Sequence, residues 1–283
     1  MTDAANAALD PDIAAWLERA EARSTADPYR AAAEAGDPNG PRFADIGTGV
    51  AVALTSVDEG FFNRAIGLGV GAPTSEAEID AVIAFYRDTG RTIAVVQPAP
   101  GIDPPEAVDW LAARDLIAGR NWAKLWHRLD RLPEPWTDLR IERIDLAGGA
   151  GFAAVISAAF ELPPELGSVA IAPIGRAGWT HYVGYDGDEP VSAAAMHVAD
   201  GVAWLGFGAT LESHRGRGGQ SAMFSHRLRD AADLGARLAI TETGEDLPEE
   251  PNPSYRNMLR AGFRHAYLRR NWIWRASPEG PAD

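Results

Sequence analysis

Three strand-like segments follow one another in the second half of the chain, and they constrain its fold more than any other feature. Asp186-Gly187 and Asp200-Gly201 lie between them, and an Asp-Gly pair between strands is a strong hairpin signal. Consecutive hairpins make an antiparallel sheet, which is what we predict here. The three segments are THYVGYD (180–186), VSAAAMHV (191–198) and VAWLGFGAT (202–210).

A loop rich in glycine and arginine follows the third segment. Residues 214–220 read HRGRGGQ and precede a predicted helix. Small residues let backbone N–H groups converge, and a helix N-terminus adds positive potential, so the loop suits a pyrophosphate. Arg215 and Arg217 could add charge-assisted bonds. There is no GxxxxGK[ST] run, and the preceding hairpins do not fit a dinucleotide-binding βαβ unit. A flexible basic loop is the alternative reading of this run taken alone.

The order of elements repeats along the chain, which has the length of two domains. LGVGA at 68–72 matches LGFGA at 205–209, and RTIAV at 91–95 matches RLAIT at 237–241. Leu111, Ala113 and Trp126 match Leu259, Ala261 and Trp274 at one constant offset. Both halves read as glycine-rich strand, helix, strand, helix and strand. The first copy continues as PTSEAEID, where Ser75 and Glu78 predict a capping box, and it lacks the glycine-arginine loop.

Residues 138–275 resemble the GNAT N-acetyltransferase superfamily. The resemblance rests on the R-x-x-G-x-[G/A]-like loop, its helix and strand, and the segment NPSYRNMLRAGF before a last strand. Arg215 and Gly218 match the loop pattern, whereas Gln220 stands where Gly or Ala is usual. With the repeat, this implies an α/β (α+β) chain of two GNAT-like domains, each a mostly antiparallel mixed sheet flanked by helices. We expect a degenerate domain without a pyrophosphate loop at 1–137, an N-acetyltransferase domain at 138–275 and a disordered tail at 276–283.

The resemblance also implies acetyl-CoA as the cosubstrate and a splayed strand pair where it binds. The backbone of Thr210 and Leu211 would pair with the pantetheine arm. Asn252 and Ser254 would contact the same arm, although both are good N-cap residues without any ligand. The amides expected to hold the pyrophosphate belong to Gly216, Arg217, Gly218, Gly219, Gln220 and Ser221.

Acetyl transfer to a primary amine by direct attack in a ternary complex needs a base and a donor to the carbonyl oxygen. Glu242 is the candidate base, with an outward surface carboxylate as the alternative. The resemblance places the donor at the main-chain amide of Leu211 and an acidic tyrosine at position 258. Met258 cannot donate a proton. Either Tyr255 does so, or the thiolate leaves unassisted, or the chain is a non-catalytic acyl-CoA binding or sensing module.

Composition excludes or disfavours several other classes of protein and of site. The chain has no cysteine, which excludes disulfides, thiolate zinc sites and cysteine nucleophiles, and we find no metal-ligand spacing. A net charge of -14 without a basic run disfavours nucleic acid. No apolar run approaches the roughly 20 residues of a membrane helix, and the acidic N-terminus does not resemble a signal peptide. We therefore expect a cytoplasmic monomer or homodimer that acts on a small-molecule or peptide amine.

Overall fold

A computed structural model describes residues 11–99, 106–134 and 136–276. The α-helices in chain order are α1 (Pro11–Glu34), α2 (Glu76–Asp88), α3 (Ala107–Ala112), α4 (Gly149–Ala159), α5 (Gly167–Ile171), α6 (Gly219–Asp233) and α7 (Pro253–Arg260). The strands are β1 (Pro41–Ile46), β2 (Gly49–Leu54), β3 (Arg64–Ile66), β4 (Ile93–Gln97), β5 (Ile117–Ala118), β6 (Trp122–His127), β7 (Arg140–Ile144), β8 (Trp179–Asp186), β9 (Glu189–Ala199), β10 (Val202–Thr210), β11 (Leu238–Gly244), β12 (Arg264–Arg269) and β13 (Trp272–Arg275).

One compact unit comprises residues 11–122 and 268–276. Its sheet has the order β1-β2-β3-β4-β13-β5, in which only the β3–β4 pair is parallel. Helix α2 begins with the predicted capping box between Ser75 and Glu78. Its buried face, with Ile79, Val82 and Tyr86, packs in one core with residues of the sheet.

The other compact unit comprises residues 123–267. Its sheet has the order β12-β6-β11-β10-β9-β8-β7, and the run from β7 to β10 is antiparallel, as predicted. Asp200 and Gly201 both have positive φ, at 52° and 76°, as a two-residue type I′ turn between β9 and β10 requires. Met223, Phe224 and Leu228 of α6 lie in the core of this unit. The predicted fold class, with two mixed sheets flanked by helices, is confirmed.

Two strands lie in a different sheet from the one that their place in the sequence predicts. The last strand that the sequence predicts, YLRRNWIWR (267–275), is divided between β12 in the second sheet and β13 in the first. Strand β6 lies in the second sheet, although it precedes the predicted division at 137/138. The repeat pairs Trp126 of β6 with Trp274 of β13, so the equivalent last strands of the two halves have exchanged sheets. The units therefore divide at 122/123, and the chain returns to the first unit at 268.

Residues 68–72, predicted as a strand, form a turn in which Gly69 and Gly71 have φ of 82° and 81°, so that prediction was wrong. The sequence also predicts a helix from about Pro104 to Leu116; α3 begins at Ala107, and Pro104 itself lies outside the described residues. Of the predicted tail, only Ala276 is described, and its amide donates to the carbonyl oxygen of Thr92 at 2.9 Å.

Candidate functional site

Strands β10 and β11 separate at one end. Their parallel pairing consists of Val202 with Leu238, Ala203 with Ala239 and Trp204 with Ile240. Beyond Trp204, β10 has a bulge between Gly206 and Ala209, where its register with β9 shifts. Phe207 in the bulge has a φ of 49°, which is unusual for a bulky residue. The bulge and the end of pairing leave a notch between the two strands, as the splayed pair was predicted to do.

The backbone at the end of β10 changes the expected role of Leu211. Its amide donates to the carbonyl oxygen of Val191 at 2.9 Å, so it is already used within the sheet. Hydrogen-bonding groups alternate between the two edges of a strand, and the N–H and C=O of Thr210 therefore face the notch. The Thr210 hydroxyl lies 3.0 Å from that of Ser192. The amide of Thr210 therefore replaces that of Leu211 as the candidate hydrogen-bond donor to the carbonyl oxygen of the acetyl group.

The loop after β10 leads into α6, whose N-terminus has no side-chain cap. Gly216 and Gly218 have φ of 82° and 77°, and Gly218 is the N-cap of α6 without any side-chain hydrogen bond to the helix. The first helical bond joins the Ala222 amide to the Gly218 carbonyl oxygen, at 2.9 Å. The amides of Gly219, Gln220 and Ser221 precede it and have no acceptor within the helix. These amides and the helix dipole could receive an anion, which is the role that the sequence predicts for the loop.

Position 218 requires glycine for a second reason besides its positive φ. A Cβ at this position would overlap the carbonyl oxygen of Trp136, so the close approach of residues 136–137 to the loop demands glycine. The Thr137 hydroxyl donates to the carbonyl oxygen of Arg217 at 2.8 Å and fixes the same loop from outside. Gly216, in contrast, has open space around its Cβ position.

The two loop arginines have different roles. Arg217 binds Asp138 at 2.7 Å and also binds Asp186, and these hydrogen bonds raise the pKa of the guanidinium and lower those of both carboxyls. Its charge is thereby compensated, which corrects the expectation that its side chain binds phosphate; it holds the loop in place. Arg215 is exposed and has no ion pair among the described residues, so it is available to an anion.

Gln220, the departure from the family pattern, connects two helices. Its Nε2 donates to the Ser254 hydroxyl at 3.0 Å, and its Oε1 accepts from Asn257. The side chain therefore extends toward α7 rather than over the open amides. Ser254, expected at the pantetheine arm, is a partner in this link.

Asn252 is a structural cap. Its Oδ1 accepts from the amides of Ser254 and Tyr255 at 3.0 and 3.2 Å. Its Nδ2 donates to the Gly244 carbonyl oxygen at 2.6 Å and to the Thr243 hydroxyl at 3.1 Å. Both ends of the amide are engaged, so the interpretation as an N-cap replaces that of a pantetheine contact.

Glu242 is not the outward carboxylate that was the alternative reading. It lies on β11 just beyond the paired residues, its side chain is 11% exposed, and it accepts a hydrogen bond from Lys124 at 3.2 Å. Lys124 is the only lysine of the chain and is itself buried. This pair was not predicted, because Lys124 lies on β6, one of the two strands that exchange sheets.

Position 258, where the family resemblance implies a tyrosine, and the candidate donor Tyr255 differ in burial. Met258 lies in the hydrophobic core at 4% exposure, so the position of the family's tyrosine holds an apolar core residue. Tyr255 is half-buried, and its hydroxyl lies 3.3 Å from Nδ1 of His265. Burial, and next the charge of Asp246, raise the pKa of Tyr255, while burial lowers that of His265. Tyr255 is therefore a protonated hydroxyl beside a neutral imidazole at neutral pH.

Within the described ranges, no three His, Asp or Glu side chains are placed to hold a metal ion. No helix in those ranges is both long and apolar enough to cross a membrane.

The fold is similar to solved structures, whereas neither a protein-family model nor a curated protein matches the sequence. A GCN5-related N-acetyltransferase from Kribbella flavida has a TM-score of 0.59 at 20% identity, covering 89% of this chain and 96% of that one. One from Sphaerobacter thermophilus has a TM-score of 0.58 at 15% identity, covering 83% of each chain. A tandem GNAT protein from the clavulanic acid biosynthesis pathway has a TM-score of 0.57 at 14% identity, covering 86% of each. The chain therefore has the fold of the GNAT superfamily, in a tandem arrangement of two GNAT-like halves.

Proposed function

We propose that this chain is an N-acyltransferase that moves the acetyl group of acetyl-CoA to a primary amine of a small molecule or peptide. The observation that carries the proposal is the uncapped N-terminus of α6 next to the notch between β10 and β11. The open amides of residues 216–221 and the guanidinium of Arg215 would hold the pyrophosphate. The Thr210 backbone would pair with the pantetheine amides, as an added strand does at a sheet edge.

The chemistry divides between the cosubstrate and the chain. Acetyl-CoA supplies a thioester, at which a C–N bond forms, the C–S bond breaks and the electron pair stays on sulfur. The Thr210 amide donates to the carbonyl oxygen as that oxygen gains charge. Glu242 accepts the proton that the amine must lose, directly or through water, while Lys124 keeps its carboxylate in place. Tyr255 is the candidate donor to the departing thiolate.

The same proposal assigns no coenzyme to the first half. The unit of residues 11–122 and 268–276 would be a degenerate copy of the unit of residues 123–267, in place of the predicted halves 1–137 and 138–275. The capped start of α2 supports this, because the Ser75 hydroxyl and the Glu78 carboxylate already accept from the amides of Glu78 and Ser75. The protein would act in the cytoplasm as a monomer or homodimer.

A second candidate is a non-catalytic acyl-CoA binding or sensing module. The burial of Met258 favours it, because the position of the usual acid holds no proton donor.

Release of free thiol from acetyl-CoA, measured against a panel of amines, separates the two candidates. The enzyme proposal expects thiol release that depends on one class of amine, together with an acetylated product detected by mass spectrometry. Saturable acetyl-CoA binding without amine-dependent release would favour the sensing module. Absence of both binding and release would reject both candidates.

A further inference from the structure

Arg227 is a buried cation on the face of α6 that packs against the sheet. Its side chain is 2% exposed. Its guanidinium donates to the carbonyl oxygens of Met223, Ala195 and Gly206 at 3.1, 3.1 and 3.3 Å. It also lies over the ring of Phe224, 5.0 Å from the centroid. All of its acceptors are thus neutral.

No carboxylate neutralises Arg227 among the described residues. Asp230, about one turn further along α6, accepts from the Tyr182 hydroxyl and from Arg143 instead. Buried cations are normally paired, because desolvation is expensive. Burial lowers the pKa of Arg227 to about 10, which still leaves the group protonated at neutral pH. The unit therefore keeps an uncompensated positive charge in its interior.

This charge lies directly beneath the bulge that opens the notch. The Gly206 carbonyl oxygen, which Arg227 binds, starts the bulge. One guanidinium nitrogen lies 3.9 Å from the Cβ position of Gly208, two residues later. Phe207, between these glycines, has its unusual positive φ. Arg227 thus both fixes the bulged backbone and places a charge beside the part of β10 that lies beyond its last pair with β11.

We propose that Arg227 is a positioning residue of the acyl site, which holds the bulge open and stabilises the negative charge that develops on the departing sulfur. The inference rests on the proposed function, since the notch must receive the thioester. It explains how a thiolate can leave although Met258 offers no proton. Interior charges interact strongly because the surrounding dielectric is low, so a cation needs no direct contact to act on the sulfur.

The test measures the ionisation of the CoA thiol in its complex with the protein, through the ultraviolet absorbance of the thiolate during a pH titration. With wild-type protein we expect the pKa of the bound thiol to lie about one to two below that of free CoA. Three variants follow: Arg227→Met, which removes the charge at similar volume, Arg227→Lys, which keeps it, and Arg229→Met, a matched control on the exposed side of α6.

The expected result is a thiol pKa that returns to the free value in Arg227→Met but stays lowered in Arg227→Lys and Arg229→Met. Turnover should fall about 100-fold in Arg227→Met and be partly restored in Arg227→Lys. A bound thiol that titrates like free CoA in the wild type would overturn the inference and leave the proposed function intact, and this measurement needs no variant to fold. A lowered pKa that persists in Arg227→Met would also overturn it. Failure of CoA to bind the wild type would instead reject the proposed function itself.

Discussion

The two halves of the chain differ most at one place, the start of the helix that follows the glycine-rich segment. In the first half, the Ser75 hydroxyl and the Glu78 carboxylate cap α2, and the Ser75 amide donates to Glu78 at 2.7 Å. In the second half, Gly218 leaves the first turn of α6 open, with Arg215 beside it. One helix start carries its own carboxylate on the N-cap amide, and the other has no side-chain cap. Two halves of similar fold can thus differ in whether a helix start is open to an anion, because fold does not determine function.

The largest effect on turnover is expected for Glu242, the candidate proton acceptor. The repeat aligns it with Val96 in the first half, an apolar and fully buried residue that cannot accept a proton. Glu242→Gln should lower turnover about 100-fold, because an amide cannot accept the proton of the amine. Acetyl-CoA binding measured by calorimetry should change little. The exposed Glu249→Gln serves as the control and should keep wild-type rates. Unchanged turnover in Glu242→Gln would remove Glu242 from the mechanism.

A carboxylate placed at the open helix end should imitate the closed one. Gly216→Asp has room for its Cβ, and we expect acetyl-CoA to bind about 30-fold more weakly because the new charge repels the pyrophosphate. Gly235→Asp is a matched control beyond the other end of α6, with similar positive φ and equally open space. Calorimetry should show the weaker binding in Gly216→Asp and wild-type affinity in Gly235→Asp. Equal affinities in the two variants would contradict an anion site at this loop.

The two loop arginines should separate binding from stability. Arg215→Ala should weaken acetyl-CoA binding about tenfold without lowering the melting temperature, because Arg215 has no ion pair in the described structure to lose. Arg217→Ala should lower the melting temperature, because Asp138 and Asp186 lose their shared partner. Calorimetry and thermal denaturation distinguish the two. The reverse pattern would mean that the assignment of the arginines is inverted.

The smallest effect belongs to the first half. Ser75→Ala should reduce the free energy of unfolding by about 1 kcal/mol, through loss of the cap on α2. Affinity for acetyl-CoA should stay the same, because no anion is expected at that helix. Denaturant titration and calorimetry measure the two quantities. An altered affinity would show that the start of α2 takes part in binding.

Local signals in the sequence predicted much of this molecule. The Asp-Gly hairpins, the capping box at Ser75 and the helix after the glycine-arginine loop depend on residues near one another in the chain, and they appear where expected. Gly216 and Gly218 also lie close in sequence to the open amides of α6, so the position of these amides could be predicted.

Features that depend on distant residues were not predicted. The exchange of β6 and β13 between the two sheets was not predicted, because a strand's own residues do not specify which strands it pairs with. The pair of Lys124 with Glu242 depends on that exchange, and the contact of Arg227 with the bulge joins residues 21 positions apart. The use of the Leu211 amide by Val191 follows from register, which the sequence left undetermined.

Hydrogen exchange with and without acetyl-CoA tests the contrast between the two helix starts most directly. The account predicts that saturating acetyl-CoA slows the exchange of amides 216–221 and leaves amides 74–79 unchanged. Protection at 74–79 without protection at 216–221 would contradict it, and would place the cosubstrate in the half that we regard as closed.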